Sequence, residues 1–152
     1  MKKVVTLIGW IALCSLAGVF GAQFEPGTWY ELLYKPAWTP PNWIFPVVWP
    51  ILYVLMGISA WMMWRVKEVS LSDTEFRWFF VQLVLNALWS WLFFGMHLIG
   101  TALAEILLLW ISIIFTIMLF WGRKRLAGIL LIPYLLWVSY ASALNFAIWQ
   151  LN

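Results

Sequence analysis

The chain has 152 residues, 65% of them hydrophobic, 20% aromatic and only 10% charged, and its mean hydropathy is +0.92. A soluble domain carries about 25% charged and about 45–50% apolar residues, so a water-soluble globule is excluded, and so is disorder. One cysteine (Cys14) and one histidine (His97) leave no disulfide framework and no typical zinc site, and the net charge of +3 sits in short clusters between apolar stretches, as membrane topology requires and nucleic-acid binding does not.

A bilayer core is crossed by about 20 apolar residues. Five stretches qualify, at about 4–24, 43–64, 78–98, 101–121 and 126–149. Backbone facing lipid must satisfy its own hydrogen bonds, and the apolar residues do not alternate with polar ones, so helices are expected rather than a barrel. The expectation is a single all-α domain over residues 1–152, an integral membrane bundle of five transmembrane helices.

The first span follows Lys2-Lys3 and resembles a signal peptide in outline. Phe20 breaks the small-residue pattern ending at Ala22, bulky Leu13 precedes Cys14, and the apolar run is long, so a retained span is expected. Gly18 with Ala22 and Ala17 with Gly21 are small-residue pairs at spacing four. They suit either a dimer face or an internal helix contact. Residues 25–42 read EPGTWYELLYKPAWTPPN and are expected to form an ordered cap over one end of the bundle. Pro40, Pro41, Pro46 and Pro50 then shape the start of the second span, where Pro50 should loosen the helix beside Trp49. Ser72 and Glu75 read as a capping box opening the third helix. Short turns leave the third, fourth and fifth helices as antiparallel neighbours, with a solvated His97 in one turn. Glu105 is the one charge inside the spans. It is expected near the outer headgroups, neutral or paired with Lys35 or His97, or else at a pocket entrance. Pro133 should kink the fifth helix before Trp137.

Eight of the nine basic residues fall on one side of the bundle, and Lys35 alone on the other. The positive-inside rule then places the N-terminus in the cytoplasm and the C-terminus and the 25–42 loop outside it. Trp43, Trp64, Trp78, Trp121 and Trp149 read as interface anchors.

Inside a bilayer, small and polar residues mark the inward faces. Trp49, Tyr53 and Gly57 share a face of the second helix. Gln82, Asn86, Trp89, Ser90 and Phe93 share one on the third, and Trp137, Ala141, Asn145 and Ile148 one on the fifth. Helical rise puts Trp49, Ala141, Trp89, Tyr53, Asn86 and Trp137 about 9–18 Å below one surface, in one slab. Converging there, they would wall a slot for a large, flat, mostly apolar ligand, with Asn86, Tyr53 or Gln82 orienting it and the loop as lid. The same stripes also serve as core packing, and Asn86 and Gln82 as hydrogen-bonding links between helices.

The runs WYELLYKPAWTPPNWIFPVVWPILYVLMG, QLVLNALWSWLFFG and PYLLWVSYASALNFAIWQLN resemble the tryptophan-rich sensory protein / translocator protein (TspO/MBR) family, once called peripheral-type benzodiazepine receptors. The resemblance covers about residues 5 to 152. It implies a five-helix membrane bundle, commonly a homodimer, surrounded by membrane lipid. It further implies binding of porphyrins and, in some members, of sterols and isoquinoline- or benzodiazepine-type drugs. Family members are linked to tetrapyrrole handling and stress response, and light-dependent protoporphyrin breakdown is ascribed to some bacterial ones. Carried over residue by residue, the ligand-binding set is Tyr30, Trp49, Tyr53, Asn86, Trp89, Trp137 and Ala141. The chain departs from the animal cholesterol motif: Phe146 and Gln150 stand where that motif has tyrosine and a basic residue, so sterol binding is not expected.

Three functions are open to such a chain. The first is binding or sensing of a protoporphyrin-type ligand, with no required cofactor and no metal. The second is photochemistry on that ligand beside Trp49 and Trp137. No conventional enzyme is expected, since no nucleophile–base pair or metal constellation is present. The third is transport of porphyrin or lipid-like molecules, for which a lone Glu105 offers little coupling.

Overall fold

The computed structural model describes residues 2–24 and 26–152, so Glu25, the first residue of the expected cap, lies outside it. The chain forms α1 (Lys2–Gly21), a short α2 (Thr28–Leu32), a 3-10 turn (Asn42–Ile44) leading into α3 (Phe45–Trp64), and α4 (Thr74–Ser90), which ends in a π-helical turn (Trp91–Gly95). Then come α5 (Ile99–Arg123), α6 (Arg125–Leu130) and α7 (Ile132–Leu151). Five helical units, α6 and α7 counting as one, are long and apolar enough to cross a bilayer. The protein is a multi-pass integral membrane bundle, and no strand occurs among the described residues.

Helix ends differ from the sequence expectation where side chains found better partners. The third transmembrane helix begins at Thr74, a full turn before Trp78, and no capping box forms. Asp73 is the N-cap residue, and its Oδ2 accepts from the Ser70 backbone N–H at 2.7 Å. Glu75 turns inward instead, where its Oε1 accepts from Arg123 Nε at 2.9 Å. That pair ties the start of α4 to the end of α5. Pro50 is accommodated inside α3 without a break. Pro133 acts more sharply: the helix is interrupted at Leu131, and Pro133 sits in the first turn of α7, where its missing N–H has no helical partner to lose.

Glu75 is buried while Arg123 is half exposed. Glu75→Gln should therefore lower stability by about 1 kcal/mol, between the value of a surface pair and that of a charged hydrogen bond. Thermal unfolding in detergent would read this as a lower midpoint, with exposed Glu68→Gln as control. An unchanged midpoint would mean that solvent screens the pair fully.

Packing follows the small residues. α1 lies chiefly along α3, α4 along α5, and α5 along α6 and α7. At the α1–α3 crossing, a Cβ on Gly57 would stand 2.6 Å from the Ile11 Cα. Gly18 similarly admits the Tyr53 ring, whose Cε2 a Cβ there would strike. Gly18 and Gly21 thus serve internal contacts, whereas Gly9 has open space around it. Trp43, Trp64, Trp121 and Trp149 are exposed near the helix ends, as interface anchors should be.

Candidate functional site

A cavity of about 610 Å³ lies between α1, α3 and α4, near the α2 end of the bundle. That is within the usual range of ligand pockets, about 300–1,000 Å³. Trp49 and Tyr53, one turn apart on α3, stack at 5.5 Å between centroids and 22° between planes, and form one aromatic wall. Trp89 and Ser90 from α4, with Phe94 from its π-helical turn, form a second, and Gly18 and Gly21 of α1, with Ala22 just after it, form a third wall of small residues. No charged side chain lines it among the described residues. Val19, Pro46 and Pro50 line it and are also exposed on the outer surface of the bundle. The cavity is therefore open sideways, toward lipid.

The seven residues expected at the site fall into three groups. Trp49, Tyr53 and Trp89 line the large cavity. Tyr30 and Ala141, with Trp89 again, line a narrow void of about 20 Å³ between α2, α4 and α7. Asn86 and Trp137 line neither space. Trp137 stands behind Trp49, edge to face at 6.5 Å, and beside Phe45 at 5.8 Å. Its buried Nε1 has no hydrogen-bond partner among the described residues.

Hydrogen bonds explain why α7 closes against the core and leaves the open wall to α1. Tyr53 Oη donates to Asn86 Oδ1 at 2.7 Å, and Asn86 Nδ2 donates to Tyr134 Oη at 3.0 Å. Nearer the loop, Trp89 Nε1 donates to Asn145 Oδ1 at 3.1 Å, and Asn145 Nδ2 donates to the Ile99 carbonyl at 3.0 Å. Both asparagines are spent as links between helices. Gln82 is not: it is 1% exposed, and neither amide atom has a partner among the described residues.

The cap is held down from several sides. Tyr140 Oη donates to the Trp38 carbonyl at 2.8 Å. Asn152 and Tyr34 exchange two hydrogen bonds, each 3.0 Å. Lys35 Nζ donates to the carbonyls of Tyr30, Glu31 and Leu33, which closes the end of α2. Tyr30 is buried beneath, and burial, followed by the nearby Tyr140, raises its phenol pKa above the ordinary value. Trp29 stacks on His97 at 4.1 Å and 14°. His97 is thus exposed yet held, in a left-handed turn with φ 58°.

Glu105 has neither of the partners, nor the place at a pocket entrance, that the sequence offered it. It is 8% exposed, and its carboxyl oxygens meet no hydrogen-bond partner among the described residues. Lys35 is occupied by three carbonyls and His97 by Trp29, so neither pairs with it. It also lies off both cavities. The reason is its face: Ala102, Glu105, Ile106 and Leu109 follow the helical repeat as the buried stripe of α5.

The wall residues from α1 were not legible as a site in the sequence. Their signal was present as small residues at spacing four, which records a close neighbour without saying which one.

Comparison with known proteins agrees with this architecture. The sequence profile described as the TspO/MBR family matches residues 10–150. Protein CrtK of Rhodobacter capsulatus is 44% identical over 140 residues, covering 91% of this chain and 88% of that protein. Tryptophan-rich protein TspO of Chlorobaculum tepidum is 43% identical over 158 residues, covering 99% and 98%. The translocator protein of Bos taurus is 38% identical over 155 residues, covering 97% and 90%. With a profile match over almost its whole length, relatives of this identity and five membrane-spanning helices, the chain belongs to the TspO/MBR family.

Proposed function

We propose that the protein binds a tetrapyrrole of the protoporphyrin type in the cavity between α1, α3 and α4, and acts in handling or sensing that ligand. The observation that carries this reading is a space of about 610 Å³ with a stacked indole–phenol wall and no charged lining among the described residues. A flat aromatic ring gains area burial and offset stacking there. Its acidic substituents would sit at the cap end of the cavity, by Pro26 and Asn42, where headgroups and water can solvate them. The sideways opening also suits a ligand that arrives dissolved in the bilayer. Relatives carry the names tryptophan-rich sensory protein and translocator protein, in keeping with recognition or movement of a ligand. In the membrane, the end carrying eight of nine basic residues faces the cytoplasm, and the α2 cap with the C-terminus faces the opposite side.

A titration in detergent tests this. Protoporphyrin should quench tryptophan fluorescence saturably. Trp49→Ala should weaken binding about tenfold, the equivalent of one aromatic stack of about 1.4 kcal/mol. The lipid-facing Trp149→Ala should bind as the parent does. Equal affinity in Trp49→Ala and parent would remove the ligand from this cavity.

A further inference from the structure

The end of the bundle opposite the α2 cap holds a second candidate site. Ser59 Oγ donates to the Ala127 carbonyl at 2.7 Å, so the last turns of α3 run beside the start of α6. Arg65 follows the end of α3, Lys67 lies just beyond it, and Lys124 and Arg125 open α6. All four are exposed. The one ion pair among the described residues, Glu75 with Arg123, leaves all four without a carboxylate. Both arginines lie over indole rings. Arg65 lies over the Trp61 ring at 4.7 Å, and Arg125 over the Trp121 ring at 5.0 Å. A guanidinium held over an indole still has N–H groups to offer, and these match phosphate oxygens. Trp64, Trp121, Leu126 and Ile129 are exposed apolar side chains at the same rim.

We propose that this rim between α3 and α6 binds the phosphate of an anionic phospholipid, its acyl chains lying along the exposed apolar side chains. Membrane topology asks only for the number and side of basic residues. It does not ask for two guanidinium groups laid on indoles beside two free lysines at one helix junction. The adjoining apolar surface favours a lipid over a soluble anion.

Native mass spectrometry of the purified full chain, with phosphatidylglycerol or phosphatidylcholine added at equal amounts, tests this. The parent should retain phosphatidylglycerol preferentially. Each juxtamembrane cation contributes about fivefold to such attraction, so Arg65→Gln/Lys67→Gln/Lys124→Gln/Arg125→Gln should lose at least about tenfold of the retained lipid. Lys2→Gln/Lys3→Gln/Arg77→Gln, which removes charge elsewhere at the same end, should keep it. If the fourfold variant does not fold, Arg65→Gln/Arg125→Gln carries the test. Equal loss in the control variant would reduce the effect to general charge and overturn the site. Complete displacement by soluble glycerol phosphate would make it a site for free anions, which also overturns the proposal.

Discussion

Gly57→Ala should destabilise the protein by about 2–3 kcal/mol, more than alanine at Gly9 or Gly18, because overpacking at this crossing has no side chain to move aside. The added Cβ would lie 2.6 Å from the Ile11 Cα and 2.8 Å from its N. Both are backbone atoms, so α1 itself must shift away from α3. At Gly18 the atom in the way belongs to the Tyr53 ring, which can turn at the expense of its bond to Asn86. At Gly9 nothing lies within 4 Å, and alanine there should be neutral or stabilising by about 0.5–1 kcal/mol through helix propensity. Thermal unfolding in detergent should therefore rank the variants Gly9→Ala, then Gly18→Ala, then Gly57→Ala in falling midpoint. Because α1 supplies one wall of the cavity, Gly57→Ala should also weaken protoporphyrin binding. A midpoint for Gly57→Ala equal to the parent's would show that α1 and α3 are not in backbone contact.

The spans were legible because lipid leaves the backbone few choices, and any run of about 20 apolar residues must be a helix. Helix ends were less so. Ser72 and Glu75 have the spacing of a capping box, but Arg123 lies close enough to take Glu75, and spacing along one helix carries no information about another. The aromatic faces of α3 and α4 were legible in the same way as the spans: Trp49 and Tyr53 four apart, and Trp89 on the stripe with Asn86. The third wall was not. Sequence periodicity turns Trp137 and Ala141 inward, which they are, yet Asn145 and Tyr134 bind α7 to α4 and α5 and close that side. The open side falls to α1, whose glycines bear no chemistry of their own. Glu105 makes the same point for charge: its place inside a span was legible, whereas Lys35 and His97 are held away from it by cap contacts that only the fold creates.

Asn86→Leu should separate stability from ligand affinity. In the parent the side chain links two phenols, accepting from Tyr53 and donating to Tyr134. All three residues are buried, at 4%, 7% and 0% exposure. Hydrogen bonds between membrane helices average about 0.6 kcal/mol. Leucine here would strand two phenolic hydroxyls at once, and the expected loss rises to about 1–3 kcal/mol, the cost of leaving buried polar groups unpaired. Removing those hydroxyls as well, in Asn86→Leu/Tyr53→Phe/Tyr134→Phe, should recover most of the loss, since an all-apolar replacement leaves nothing unsatisfied. Affinity should behave otherwise. Asn86 does not line the cavity, and Tyr53 keeps its ring on the wall whether or not its hydroxyl is bonded. Protoporphyrin binding to Asn86→Leu should therefore change by less than about threefold, under 1 kcal/mol. Unfolding midpoints and fluorescence titrations on the same preparations decide the matter. Parent-like stability with collapsed affinity would make Asn86 a ligand contact and place the ring deeper than the α1–α3–α4 cavity. A triple variant no more stable than Asn86→Leu alone would mean that the stranded hydroxyls find other partners.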